Sequence, residues 1–176
     1  RDHSPDTGLL KQWPAGGPKR LWLFEEAGLG YSSYSLVGDR LFTMGLRGDQ
    51  EFLIAVAAQT GKQLWAAPAG AKYPNGWGDG PRCTPTVDGD RVYAIGGQGL
   101  LVCADASSGK ILWQKDLVKD LGGKLQGWGY TESPLVMDDL LLVTPGGSQG
   151  TMAGLDKKTG EVRWRTKELT DDAQYS

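Results

Sequence analysis

This 176-residue sequence predicts an all-β fold, a β-propeller built of four-stranded antiparallel blades. Three observations predict it. An eleven-residue sentence ending in tryptophan is written three times. A matching series of short β-like runs precedes each copy. No window of 11 or more residues carries the apolar periodicity of an amphipathic helix.

The three copies are "AVAAQTGKQLW" at 55–65, "CADASSGKILW" at 103–113 and "GLDKKTGEVRW" at 154–164. Trp65, Trp113 and Trp164 stand 48 and 51 residues apart, and Trp22 in "PKRLWLF" stands 43 before Trp65. A period of this length signals a stacked array or a propeller. Upstream lie "SYSLVGDRLFTMG" (33–45), "TPTVDGDRVYAIGG" (84–97) and "SPLVMDDLLLVTPGG" (133–147), in the same place in each unit.

In the second unit the four runs are "TPTV", "RVYAI", "LLVCA" and "ILWQK". Asp88-Gly89-Asp90 separates the first two and is a hairpin signal, because such turns need residues that tolerate positive φ. "GGQG" separates the second and third. "DASSG" separates the last two; there Gly109 can turn left-handed and Asp105 can accept from the turn backbone. Gly61 and Gly160 hold the matching places, and Asp156 matches Asp105. Four antiparallel strands per unit make a propeller blade, and a lone blade cannot bury both of its faces.

Each tryptophan falls in the fourth, outermost strand, four residues after the turn glycine. From there it can enter the seam between blades and cover the neighbour's glycine turn. Burying a ring of roughly 150–250 Å² contributes roughly 4–6 kcal/mol as an upper bound.

The division expected is an extended amino-terminal segment (1–17), an outer strand of a closing blade (18–26), blades at 27–76, 77–126 and 127–170, and the start of a further, truncated blade at 171–176. Three blades cannot close a ring. The sequence is therefore expected to be the amino-terminal part of a chain of roughly 350–420 residues, from extrapolating the repeat. The partner expected is another protein or the missing blades of its own chain, and exposed blade faces would otherwise favour a homo-oligomer.

Charge is near balance, 19 Lys+Arg against 21 Asp+Glu, which gives no reason to expect a nucleic-acid partner. Apolar runs are too short for a membrane span. His3 is the only histidine, so no histidine–carboxylate pair or His/Cys zinc cluster is expected. "GGQG" and "PGGSQG" join strands and open no helix, so they are not phosphate loops. Cys83 and Cys103 have a whole strand between them, about 9–10 Å, beyond the reach of a disulfide. Two free, mostly buried thiols are expected.

Two long inter-blade connections, 69–85 and 119–134, each carry Gly-Trp-Gly. They offer a candidate binding face of Lys72, Tyr73, Asn75, Trp77, Asp79, Arg82, Lys124, Trp128, Tyr130 and Glu132. The alternative is that Trp77 and Trp128 cap the blade core while the charges are solvated. Glu132 and Asp79 are the carboxylates nominated on the axis side. No catalytic or metal-binding residue is assigned.

The pattern Ala-x-Asp-x-x-Thr-Gly-x-x-x-Trp resembles the tryptophan-docking motif of pyrroloquinoline-quinone (PQQ) type propellers. The third copy, with Asp156, Thr159, Gly160 and Trp164, fits nearly throughout. The second has Asp105, Ser108, Gly109 and Trp113, and the first departs with Ala57 in place of Asp. The resemblance implies a ring of seven or eight blades and an exported, periplasmic setting. It implies two kinds of function. One is a non-catalytic binding or scaffold propeller that binds a protein partner or a small ligand, with no cofactor expected, related to the outer-membrane assembly lipoprotein scaffold. The other is part of a periplasmic dehydrogenase that binds PQQ and calcium on the axis and commonly places two adjacent cysteines over the quinone; Cys83 and Cys103 are not adjacent. A structural repeat region of a larger sensor protein is a third possibility. The sequence does not name a ligand.

Overall fold

In the computed structural model, residues 7–174 are described. His3 and the last two residues of the 171–176 segment lie outside them. Among the described residues there are twelve strands and no helix. They form three four-stranded sheets, each in simple antiparallel order. The first comprises β1 (Ser35–Val37), β2 (Arg40–Arg47), β3 (Gln50–Ala57) and β4 (Gln63–Ala71). The second comprises β5 (Thr86–Asp88), β6 (Arg91–Ile95), β7 (Leu100–Asp105) and β8 (Ile111–Asp116). The third comprises β9 (Leu135–Met137), β10 (Leu140–Val143), β11 (Ala153–Asp156) and β12 (Val162–Arg165).

The short first strands gather at one side. Ser35 Oγ donates to the Pro85 carbonyl at 2.5 Å, and Thr86 Oγ1 donates to the Pro134 carbonyl at 2.6 Å. Each innermost strand is thereby tied to the next. The hairpin at Asp88-Gly89-Asp90 turns through Gly89 at φ 58°; in the third sheet Asp138 takes this left-handed place at φ 51°. An aspartate tolerates that geometry better than most side chains.

The middle strands β6 and β7 are the most deeply buried, and Val92, Tyr93, Ala94, Ile95, Leu101, Val102 and Cys103 have no exposure. The second sheet is covered on both faces by its neighbours. Both cysteines are free and buried inside it. Burial pushes the Cys83 thiol up to about 12 and raises Cys103 as well.

Trp65 and Trp113 lie in the seams, whereas Trp164, expected to dock likewise, leans on Gly154 of its own sheet and is half-exposed. Trp65 pairs with Ala55, Trp113 with Cys103 and Trp164 with Gly154, so all three hold one register position. A Cβ placed on Gly109 would lie 2.6 Å from the Trp65 ring, and one on Gly160 would lie 2.8 Å from the Trp113 ring. Each indole thus rests on the glycine turn of the following sheet, where any side chain would collide. The indole N–H groups donate across the same seams, Trp65 to the Ala106 carbonyl at 3.3 Å and Trp113 to the Lys157 carbonyl at 3.2 Å. Trp22 repeats this on the first sheet. It donates to the Ala58 carbonyl at 2.8 Å and lies over Gly61, 2.7 Å from where a Cβ would stand.

Residues 18–26, expected as an outer strand, form no ladder. Its Glu26 carbonyl accepts instead from the Arg47 side chain of β2 at 2.8 Å. Its tryptophan makes the seam contact nonetheless.

The turns preceding these tryptophans are built by aspartate where one is present. Asp105 Oδ1 accepts from the backbone and hydroxyl groups of Ser107 and Ser108. Asp156 Oδ1 accepts from the Lys158 and Thr159 amides, and its Oδ2 takes Arg163 at 2.7 Å. These donors favour the ionised form and hold both carboxyls down at about 2.

Candidate functional site

The two Gly-Trp-Gly connections meet on one side of the molecule. Between them lies a cleft of about 470 Å³ lined by Tyr31, Asn75, Trp77, Arg82, Trp128 and Thr131. Trp77 and Trp128 come from consecutive connections, and their ring centroids lie 6.4 Å apart at a 40° tilt. Trp77 is 78% exposed and Trp128 43%. Large aromatic surface in contact with water is unusual unless something covers it.

The cleft's polar groups are largely spent on building it. The Asn75 side chain accepts from the Trp77 amide at 3.0 Å and donates to the Gly127 carbonyl at 2.7 Å, joining the two connections. The Asp79 carboxylate accepts from the Asn75 amide at 3.0 Å and pairs with Lys72 at 2.7 Å. That pair lowers the Asp79 carboxyl and raises the Lys72 ammonium from their ordinary values. Tyr31 donates its hydroxyl to the Trp77 carbonyl. Arg82 lies between the faces of Tyr31 and Tyr73, its guanidinium carbon 5.5 and 5.1 Å from their centroids. It donates to the Gly80 carbonyl and, at 2.9 Å, to that of Gly78. A guanidinium held by aromatic faces and carbonyls is a rigid wall.

Six of the ten nominated residues converge here: Asn75, Trp77, Arg82 and Trp128 line the cleft, while Lys72 and Asp79 brace it. Tyr73 lies beneath, buried, with its hydroxyl on the Gln126 carbonyl at 3.2 Å. Tyr130 is buried and donates to the Pro145 carbonyl at 2.8 Å; its ring occupies the space above Gly99. Burial raises its phenol. Glu132 is buried and accepts from the Thr144 amide at 2.7 Å, with burial raising its carboxyl. Lys124 stands apart, paired with Asp172 at 2.7 Å.

Three residues outside the nominated set bear on the site: Thr131, which lines the cleft, Tyr31 and Glu51. Tyr31 reaches the cleft from "GLGYSS", the connection that leads into the first sheet. That segment occupies the same place as the two longer connections, and this equivalence was the available signal. Glu51 lies fully buried below the cleft at the start of β3. Nothing in its local sequence sets it apart from an ordinary strand residue.

With this geometry in view, the comparisons with known proteins are informative. The family model described as "Outer membrane protein assembly factor BamB" matches residues 49–176. The chain belongs to that family. It is 29% identical over 140 residues to an outer membrane protein assembly factor BamB of Burkholderia pseudomallei (strain K96243), covering 77% of this chain and 32% of that protein. It is 28% identical over 120 residues to the quinohemoprotein alcohol dehydrogenase ADH IIB of Pseudomonas putida, covering 64% of this chain and 17% of that one. The chain therefore spans about a third or less of these curated relatives. Among solved structures it resembles BamB from Moraxella catarrhalis, with a TM-score of 0.56 at 24% identity, covering 81% of this chain and 38% of that one. It also resembles the quinohemoprotein alcohol dehydrogenase from Comamonas testosteroni, with a TM-score of 0.59 at 21% identity, covering 80% and 21%. These likenesses establish the fold: the three sheets are consecutive blades of a β-propeller.

Proposed function

We propose that this chain is part of a non-catalytic binding or scaffold propeller that works outside the cytoplasm and docks a protein partner at the Trp77–Trp128 cleft. One observation carries this reading. Consecutive blades bring two exposed indoles together over a cleft in which the Tyr31, Asn75 and Arg82 polar groups are already engaged, while the Thr131 hydroxyl on its lining has no partner. Such a surface favours an apolar or aromatic side chain of a partner over a heavily hydroxylated small molecule, which would need free donors and acceptors. The likeness to an assembly factor supports the same reading.

The likeness to quinohemoprotein alcohol dehydrogenase favours a second reading, a PQQ-dependent enzyme. The described residues do not fit that group. The two thiols are free and buried, and they are not adjacent in the chain. No cluster of three or more His, Cys, Asp or Glu among the described residues could hold a metal.

The test uses the intact protein with a photo-crosslinking residue at position 77, 128 or 107. Adducts to one protein partner from 77 and 128, absent at the outer-turn Ser107 position and lost in Arg82→Ala, are expected. Alcohol-dependent dye reduction after addition of PQQ and calcium would overturn the reading.

A further inference from the structure

Resting on the Trp77–Trp128 cleft as the binding site, we propose that Glu51 is its positioning residue and that the ionised carboxylate holds both walls in place. Glu51 touches neither tryptophan. Its Oε1 accepts from the Tyr73 amide at 3.3 Å, and its Oε2 accepts from the Gly97 amide at 2.8 Å. Tyr73 heads the connection that carries Trp77 and Arg82, and its ring supports the Arg82 guanidinium. The Gly97 carbonyl in turn accepts from the Tyr130 amide at 3.0 Å, two residues after Trp128. A Cβ on Gly129 would lie 2.9 Å from the Tyr73 ring, so the two walls also lock against each other. One buried side chain therefore anchors both connections from below.

The blade as a repeating unit does not use this carboxylate. Counting back from the residues opposite Trp65, Trp113 and Trp164, the places equivalent to Glu51 are Gly99 and Gly150. Three sheets fold alike with a carboxylate at this place in only one of them, directly beneath the cleft. A fully buried acid that the blade itself does not need calls for a local role.

Protonation changes what Glu51 can do. The carboxylate is acceptor-only and matches two incoming N–H groups; the neutral acid turns one oxygen into a donor and loses that match. The charged and titratable neighbours are Arg82 and Tyr73 from the first connection and Cys83 just beyond it. From the β6–β7 turn and β4, the glycines Gly96, Gly97 and Gly70 lie against its carboxylate. Burial raises the Glu51 carboxyl above the ordinary glutamate value. A folded-state pKa above the unfolded one means that the folded protein binds this proton more tightly. Global stability from Glu51 is then greatest below the ordinary pKa and falls as pH rises through the raised value. The ordering of the cleft runs the opposite way. A purely structural role would move both together.

The test follows indole N–H resonances of the intact protein from about pH 8 to about pH 4, a span covering the ordinary carboxylate range and values above it. Trp77 and Trp128 are expected to shift together with one midpoint above the ordinary glutamate value, while Trp65 and Trp113 stay fixed. The urea midpoint is expected to rise as pH falls through the same window. Glu51→Gln should abolish both changes; Glu132→Gln, which alters the other buried acid near Trp128, should leave the Trp77 shift intact. An unchanged titration in Glu51→Gln overturns the proposal, as does a shift of all the tryptophans at once. If that variant does not fold, Glu51→Asp serves instead, and an unmoved midpoint there is equally fatal. Absent crosslinks from position 77 would sink the binding reading while leaving this titration standing, so the two failures are distinguishable.

Discussion

Trp113 and Trp164 occupy the same register position in consecutive sheets, yet they live in different surroundings. Trp113 lies over Gly160, donates to the Lys157 carbonyl and packs 6.0 Å from Tyr93. Trp164 is 38% exposed and leans on Gly154 of its own sheet. No following sheet receives it among the described residues. The contrast shows that docking belongs to the pair of ring and turn: the same indole at the same register is a seam or a surface according to what stands next to it.

Removing each ring is the sharpest way to break this comparison. Trp113→Ala is expected to lower stability by about 3 kcal/mol or more, and Trp164→Ala by about 1 kcal/mol or less. Denaturant midpoints of the two variants decide it. Equal losses would mean that the seam contributes nothing beyond the sheet itself.

The receiving side can be tested separately. Gly160→Ala forces a side chain into the left-handed region and into the Trp113 ring, about 2–4 kcal/mol together. Gly89→Ala meets only the backbone penalty, about 1–2 kcal/mol, because nothing lies within 4 Å of its Cβ position. The difference between the two melts isolates the seam. A finer cut is Trp65→Phe, which keeps an aromatic ring over Gly109 and deletes the bond to the Ala106 carbonyl. It should lose about 1 kcal/mol for the hydrogen bond, plus a smaller packing loss.

The smallest effect is at the turns. Asp105 and Asp156 titrate at about 2 in the folded state. Their stabilisation is complete above the ordinary aspartate value and disappears as pH falls from about 4 towards about 2. The first turn carries Ala57 and has no such dependence. Asp105→Asn should flatten part of the acid limb, whereas Ala57→Ser should leave it unchanged, as read by urea midpoints between those pH values.

The blades were legible in the sequence because their signals are local and repeated. Period-two runs, turn glycines and Trp65, Trp113 and Trp164 recur at fixed offsets, and repetition separates them from chance. The cleft was legible only in outline. Gly-Trp-Gly marked Trp77 and Trp128, but proximity in sequence also drew in Tyr73, Tyr130 and Glu132, whose side chains turn inward. Which way a loop side chain points depends on packing across blades, and a single chain does not write that down. Tyr31 and Glu51 escaped for the same reason. Each reaches its neighbours across a seam, from a segment 46 residues away for Tyr31 and Trp77 and for Glu51 and Gly97 alike.

Each docked tryptophan reaches forward onto the next glycine turn and never back. A unit therefore carries a key at one edge and a lock at the other. A gene that copied one whole unit in place would copy both halves of a working joint, and a deletion of one unit would leave the flanking halves matched.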